Sequence, residues 1–375
     1  MRKVIAALLL PAMMAGCGGG GNSSASNSTS AGASPAASSA AAVAPGAVRL
    51  LETGSTLLYP LMNIWVADYQ NRDRHVQITT QGTGSGAGIS QAISGVAQIG
   101  ASDAYMADSQ MQGTPMLNIP LAISAQQINY NVPEIGTAHL NLSGPVLAGI
   151  YEGKIAKWND PAIKAINSAL ASKLPNAAIV PIHRADSSGD TFIFTQYLSF
   201  STPEWKSGPG FGTSVSWPAA TNAVGAHGNP GVLQTCQNTK YSIGYIGISF
   251  LDQASKASLG YAALQNRDGK FVLPTPQTIA AAANALASKT PKDERTSLVY
   301  APGPNAYPIV NYEYAIVNPR QADANVRKEL LAFLTWAIDP AGGNSAKYLS
   351  KVHFIALPAP VEKLDKAQLG NIRNP

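Results

Sequence analysis

Three times in this 375-residue chain a short apolar run gives way to a turn of Gly, Ser, Thr or Asp and then to a helical stretch. The turns are Gly54-Ser55-Thr56, Gly84-Ser85-Gly86 and Ser188-Gly189-Asp190. Strands that hand over to helices across tight turns are the repeating unit of α/β architecture. The first amides of a helix have no internal acceptor and carry partial positive charge. Such turns are suited to an anion, and in open sheets they lie beyond the carboxyl ends of the strands. A fourth strand end closes on Asp103, so the four together point to one small polar ligand.

The third turn is the richest. Arg184-Ala185-Asp186-Ser187-Ser188-Gly189-Asp190-Thr191 places a guanidinium, two carboxylates and three hydroxyls around one glycine. The planar fork of Arg184 suits a tetrahedral oxyanion. Carboxylates repel a plain anion, but an anion that still carries a proton needs an acceptor.

Between these turns the apolar pattern predicts strands over 48–52, 76–80 and 98–102, two consecutive strands over 115–124 and 127–132, and a strand region over 306–317. It predicts helices over 59–70, 89–94, 143–151, 161–170, 278–288 and 323–338. Tyr151 and Trp158 read as core residues, and His183 as a strand residue facing away from Arg184.

Several chemistries are excluded. The glycines of 82–88 miss the dinucleotide spacing, since the third position falls on Ala87 or Ile89. Ser85 lacks the flanking glycines of a hydrolase elbow, having Thr83 and Ala87 instead. The five histidines have no metal-ligand spacing, so neither a metal nor another cofactor is expected. With 13% charged residues and a net charge of +5, the chain has no basic patch interleaved with aromatics, which argues against nucleic acid.

The N-terminus reads as an export signal over residues 1–16: Arg2-Lys3, then the short apolar run 4–11, too short to span a membrane. Met14-Ala15-Gly16-Cys17 resembles the lipobox of bacterial lipoproteins, with Cys17 as the lipidated residue and membrane anchor. Residues 17–47 carry no charged side chain and are dominated by Gly, Ser and Ala, the composition of a flexible tether. Cys236 is then the one thiol left in the fold, expected as a small buried residue.

Five motifs, in order over about 270 residues, resemble the periplasmic phosphate-binding proteins of the phosphate ABC importer, the PstS family, and most of all its lipoprotein branch. They are Glu52-Thr53-Gly54-Ser55-Thr56-Leu57-Leu58-Tyr59-Pro60; Gln81-Gly82-Thr83-Gly84-Ser85-Gly86; and Ile99-Gly100-Ala101-Ser102-Asp103. Ile150-Tyr151-Glu152-Gly153-Lys154-Ile155 with Lys157-Trp158-Asn159-Asp160 and Ser242-Ile243-Gly244-Tyr245 complete the set, beside the Arg184 loop. The resemblance implies a type II periplasmic-binding-protein fold: α/β, two-lobed, with a hinge of two crossings near Gln127 and Ala306. Lobe I would be 48–127 plus 306–375, and lobe II 128–305.

It further implies that Ser55, Thr56, Leu57, Ser85, Ser188 and Gly189 donate to phosphate, and that Asp103 accepts the phosphate proton. Arg184 would bind the anion, braced by Asp186. Asp190 departs from the Thr more common in this loop. It would add a second acceptor and favour the monobasic ion. The implied function is high-affinity binding of inorganic phosphate and delivery to an ABC permease, by a monomeric envelope protein with no catalytic step. A phosphatase or phosphotransferase using Asp103 or Ser188, and an adhesin-like surface lipoprotein, are the rival readings.

Overall fold

The strand–turn–helix units assemble on one nine-stranded sheet. The computed structural model describes residues 46–136 and 138–374. The leader, Cys17 and the tether up to residue 45 lie outside the described residues.

In chain order the elements that position the site are β1 (Val48–Gly54), α1 (Tyr59–Arg72), β2 (Val76–Gly82), α2 (Ser85–Ile93), β3 (Ile99–Ser102) and β4 (Leu117–Tyr130). They continue with α3 (Gly144–Tyr151), β5 (Val180–Arg184), α4 (Gly189–Ser201), β6 (Val224–Ala226), α5 (Gly228–Asn238) and β7 (Ser242–Gly247). Helix α6 (Pro276–Ala287), strand β8 (Val310–Val317), α7 (Ala324–Ile338) and α8 (Ala359–Leu369) complete them.

The strands run β2-β1-β3-β8-β4-β7-β5-β6, and a two-residue strand, Gly260–Tyr261, also pairs with β4. Strand β1 is parallel to both neighbours, with Gly54 opposite Gly82 and Ala101. Three strand ends therefore finish level, and the turns at Ser55, Ser85 and Asp103 emerge together. Strand β5 is parallel to β6 and β7, so Arg184 leaves the sheet opposite Ala226.

The predicted pair of strands over 115–132 is one strand of 14 residues. Ala125-Gln126 carries no turn residue, so the backbone stays extended and changes partner instead. Residues 117–125 pair antiparallel with β8, and residues 126–130 with β7. The returning chain enters beside the same point, where the carbonyl of Ile309 accepts from the amide of Gln126 at 3.0 Å.

The predicted helix over 161–170 ends early, at Ala165. The Asn167 side chain donates to the carbonyls of Ile163 and Asn141, both at 2.9 Å, and this local bonding replaces the helical pattern. Helix α2 starts four residues before its predicted onset, because Gly84 takes a φ of 93° and turns the chain directly into Ser85.

Helix α1 buries Leu61, Met62, Trp65, Val66 and Tyr69 at helical spacing. Tyr69 packs with its ring centroid 5.1 Å from both Phe333 and Trp336 of α7. Each such side chain contributes about 1.5–3 kcal/mol on burial. Helix α4 is buried from Gly189 to Ser199, which fixes its N-terminus firmly inside the molecule. Tyr151 and Trp158 are buried as expected. Cys236 sits in a small cluster with Ile182, Val232 and Ile246, and burial pushes its thiol up to about 12, so it is unreactive at neutral pH.

Candidate functional site

Four helix N-termini converge at the level strand ends: the turn before α1, and the starts of α2, α4 and α5. Ser188 caps α4, its hydroxyl accepting from the Thr191 amide at 3.3 Å. Among the described residues, the amides of Thr56, Gly189 and Asp190 donate to no backbone carbonyl. They are free for a ligand.

The elements meet very closely here. A Cβ on Gly189 would fall 2.5 Å from both Asp103 Oδ2 and Ser85 Oγ, so only glycine lets the α4 terminus reach the Asp103 carboxylate. Ser55 donates to Asp103 Oδ1, and Ser85 donates to Asp103 Oδ2 at 3.3 Å. Both hydroxyls and the carboxylate are buried.

Arg184 is held from two sides. Its Nε donates to Asp186 Oδ1 at 2.7 Å, its Nη2 to Asp186 Oδ2, and its Nη1 to Asp190 Oδ2 at 2.6 Å. A guanidinium has five N–H donors, so this bracing leaves two free. Asp186 is anchored in turn by the Gly228 amide at 3.1 Å.

The structure brings Ser55, Thr56, Ser85, Asp103, Arg184, Ser188, Gly189 and Asp190 together, and it changes several expected roles. The Asp190 carboxylate, expected to face the anion, is turned onto protein groups instead. Its Oδ2 accepts from Arg184 and from Asn229 Nδ2 at 2.7 Å, and its Oδ1 from Gln126 Nε2 at 3.0 Å. A fully buried carboxylate needs such partners. Asp190 is a second brace for Arg184, and its backbone amide is what remains for a ligand.

The Leu57 amide is bound to Ser55 Oγ at 3.1 Å, and its side chain packs against Gly247. The Ser188 amide is bound to the Thr213 carbonyl at 2.8 Å. His183 stacks on Trp217 at 4.9 Å, away from the site, as expected.

Three residues that sequence reasoning missed complete the cluster. Asn229 ties it together: its amide nitrogens bond Thr56 Oγ1 at 3.0–3.1 Å, and its Oδ1 accepts from the Gly247 amide at 2.7 Å. His227-Gly228-Asn229 follows a strand and opens a helix, so it is a fourth turn of the form already singled out. Gln126 sits at the partner change of β4. Glu313 lies on β8 among apolar residues, where a lone acid is itself a signal.

Two carboxylates, Asp186 and Asp190, thus hold one arginine, and two more carboxyls, Asp103 and Glu313, lie beyond Asp190. Burial raises Asp103 well above the usual carboxylate range, with Glu313 and Asp190 adding like charge. Burial also raises Asp190, although Arg184, Gln126 and Asn229 oppose it. For Asp186 burial is outweighed by Arg184, which holds it below its ordinary value. Burial pushes Glu313 up to about 7, and Glu52 on β1 up to about 8.

These shifts predict how stability depends on pH. A buried carboxyl with a raised value keeps its proton in the folded chain after the unfolded chain has lost it. Stability is therefore full below about pH 4.5 and falls as pH rises toward 8. Glu52 alone accounts for roughly 3–5 kcal/mol of this fall. Urea titrations at pH 5 and 8 should show the protein more stable at pH 5. The Glu52→Gln variant should flatten much of the difference, and equal slopes would rule Glu52 out.

Comparison with known proteins agrees with this geometry. A family model described as a PBP superfamily domain matches residues 30–341. The chain is 36% identical over 337 residues to the phosphate-binding protein PstS of Methanocaldococcus jannaschii, covering 85% of each chain. It is 36% identical over 312 residues to PstS of Xylella fastidiosa, covering 83% of this chain and 82% of that one. The chain therefore belongs to the PBP superfamily, and within it to the family of the PstS phosphate-binding proteins.

Among solved structures, a periplasmic phosphate-binding protein bound with phosphate at pH 8.5 superposes with a TM-score of 0.65 at 19% identity, covering 85% of this chain and 93% of that one. An ABC-type phosphate transport receptor from Vibrio cholerae gives 0.52 at 20% identity, covering 82% and 99%. These likenesses concern the fold, which is the mixed α/β fold of periplasmic binding proteins.

Among the described residues, no group of three or more His, Cys, Asp and Glu could hold a metal. Likewise, no helix there is long and apolar enough to cross a membrane.

Proposed function

We propose that the protein captures inorganic phosphate outside the cytoplasm and delivers it to an ABC permease, as a binding protein and not an enzyme. One observation carries the reading. A buried carboxylate, Asp103, lies against Gly189 at the start of α4, where the Gly189 and Asp190 amides have no backbone acceptor and the Asp190 side chain braces an arginine. Amides and arginine attract any oxyanion. Only an anion that donates a proton gains from the carboxylate, which phosphate does and sulfate does not.

In this reading Thr56, Gly189 and Asp190 donate through backbone amides and Ser188 through its hydroxyl, while Ser55 and Ser85 would turn their hydroxyls from Asp103 to the entering anion. Arg184 binds two oxygens, and Asp103 accepts the P–OH hydrogen. Asp186, Asp190 and Asn229 hold the cradle in shape. Leu57 acts through its position in the first turn.

Lobe I would comprise 48–127 and 306–375, and lobe II 128–305, with closure by rotation where β4 changes partner and Ile309 re-enters. The leader 1–16, lipidated Cys17 and tether 17–47 would hold a monomer at the membrane surface. Calorimetry of the purified protein with phosphate, arsenate and sulfate tests the reading. Phosphate and arsenate should bind and sulfate should not. No heat with phosphate would overturn the proposal.

A further inference from the structure

Two glycines of the second turn press directly against the arginine loop. Gly86 lies in the first turn of α2, where an amide finds no acceptor within its own helix. That amide donates instead to the Ser187 carbonyl at 3.0 Å. A Cβ on Gly86 would fall 2.0 Å from Ser187 Oγ and 2.4 Å from Ser187 Cβ. One on Gly84 would fall 2.7 Å from Asp186 Oδ2 and 2.9 Å from the Ser187 carbonyl. The two segments therefore meet only because α2 presents bare backbone. Ser187 is held in turn by Thr213, whose Oγ1 accepts from Ser187 Oγ at 3.0 Å.

The contact adjoins the cradle on both sides. Ser85, next to Gly86, donates to Asp103, and Ser188, next to Ser187, caps α4. In the proposed division Gly86 belongs to lobe I and Ser187 to lobe II, so rotation at Gln126 brings them together or parts them. Two further ties cross the same boundary. Thr56 Oγ1 meets Asn229 at 3.0–3.1 Å, and the Leu57 carbonyl accepts from Ser249 Oγ at 2.8 Å. Both of those use a side chain, which can follow a moving partner by changing rotamer. The Gly86–Ser187 bond is main chain at both ends and has no such freedom. It forms at one spacing of the lobes and breaks at a wider one.

We propose that Gly86 and Ser187 form a latch across the cleft that sets how long phosphate is held. The inference rests on the phosphate reading and on its two lobes. The latch itself gives nothing to the anion, so Gly86 and Ser187 are positioning residues: they fix the spacing at which the donors of both lobes reach one ion. The latch is open when the anion enters and must open again before it leaves. It therefore acts on release and not on entry.

Gly86→Ala is the first test. Gly86 has an ordinary φ and lies in a helix, so alanine suits the backbone there. The methyl is tolerated in the open cleft and strikes Ser187 on closure. Stopped-flow measurement of phosphate binding to the purified protein should show an association rate within about twofold of the unaltered protein. The dissociation rate should rise about tenfold or more.

Ser187→Gly supplies the second arm. It removes the two atoms that the methyl would strike first and leaves the carbonyl, 3.3 Å from the added Cβ. In that background Gly86→Ala should change the dissociation rate by no more than about twofold. A methyl that merely disturbs α2 would cost the same in both backgrounds, and that equality would overturn the proposal. A loss confined to the association rate would do so as well. If Gly86→Ala alone binds too weakly to follow, binding restored in the double variant supports the latch, and binding not restored overturns it. Failure of the unaltered protein to bind phosphate would instead remove the functional reading itself.

Discussion

Replacing Asp103 with asparagine is expected to collapse the discrimination between phosphate and sulfate. The wild-type side chain, once ionised, can only accept, so sulfate brings lone pairs and like charge against it. Sites that require a hydrogen bond from the ligand reject analogues lacking it by ~10⁴–10⁵. Asparagine presents an amide that can donate to sulfate or accept from phosphate. Sulfate affinity should therefore rise steeply in Asp103→Asn while phosphate affinity falls modestly, narrowing the ratio by about 10³ or more. One of the two hydroxyls that donate to Asp103, from Ser55 and Ser85, can donate to the asparagine oxygen while the other accepts from its NH2, so the fold should tolerate the change. Competition calorimetry with both anions measures it. An unchanged ratio would mean that Asp103 is not the discriminating group.

Arg184→Ala carries the second large effect. Among the described residues the guanidinium is the one cation bonded to Asp186 and Asp190, both largely buried. Its loss removes two donors to the ligand and leaves those carboxylates unpaired. Truncating one partner of a buried charge pair costs about 2–5 kcal/mol, or roughly 30- to 4,000-fold in Kd. Arg184→Lys should recover only part, because an ammonium cannot span Asp186 and Asp190 while pointing two donors at an anion. Binding titrations beside thermal melts separate the two contributions. Near-native affinity in Arg184→Ala would exclude the site.

Much of this was legible before any coordinates. The strand–turn–helix units over 48–102, and the gathering of their turns about one small polar ligand, follow from local pattern, whereas the parallel register came only with the fold. The pairing of Arg184 with Asp186 two residues on was equally local. Long-range choices were not legible. Nothing near Asp190 says that Asn229 and Gln126, 39 and 64 positions away, will claim its carboxylate. The joining of the two predicted strands at Ala125-Gln126 is decided by which strands lie alongside, and no local pattern records that. Glu313 was overlooked for the same reason: its partner, Asp103, lies across a ladder formed by a strand more than 200 residues later.

Gln126 ties two parts of the molecule that are usually separate. Its backbone stands where β4 exchanges one partner strand for another, and its side chain grips both the carbonyl and the carboxylate of Asp190. In the proposed function the swivel point and the ligand-gripping loop would thus be geared through one side chain. A rotation of the sheet at that point must pull on the start of α4, and a shift of α4 must turn the sheet. For a permease that senses only the outer surface of its delivery partner, such gearing would translate the presence of a four-oxygen ion into a change of outline.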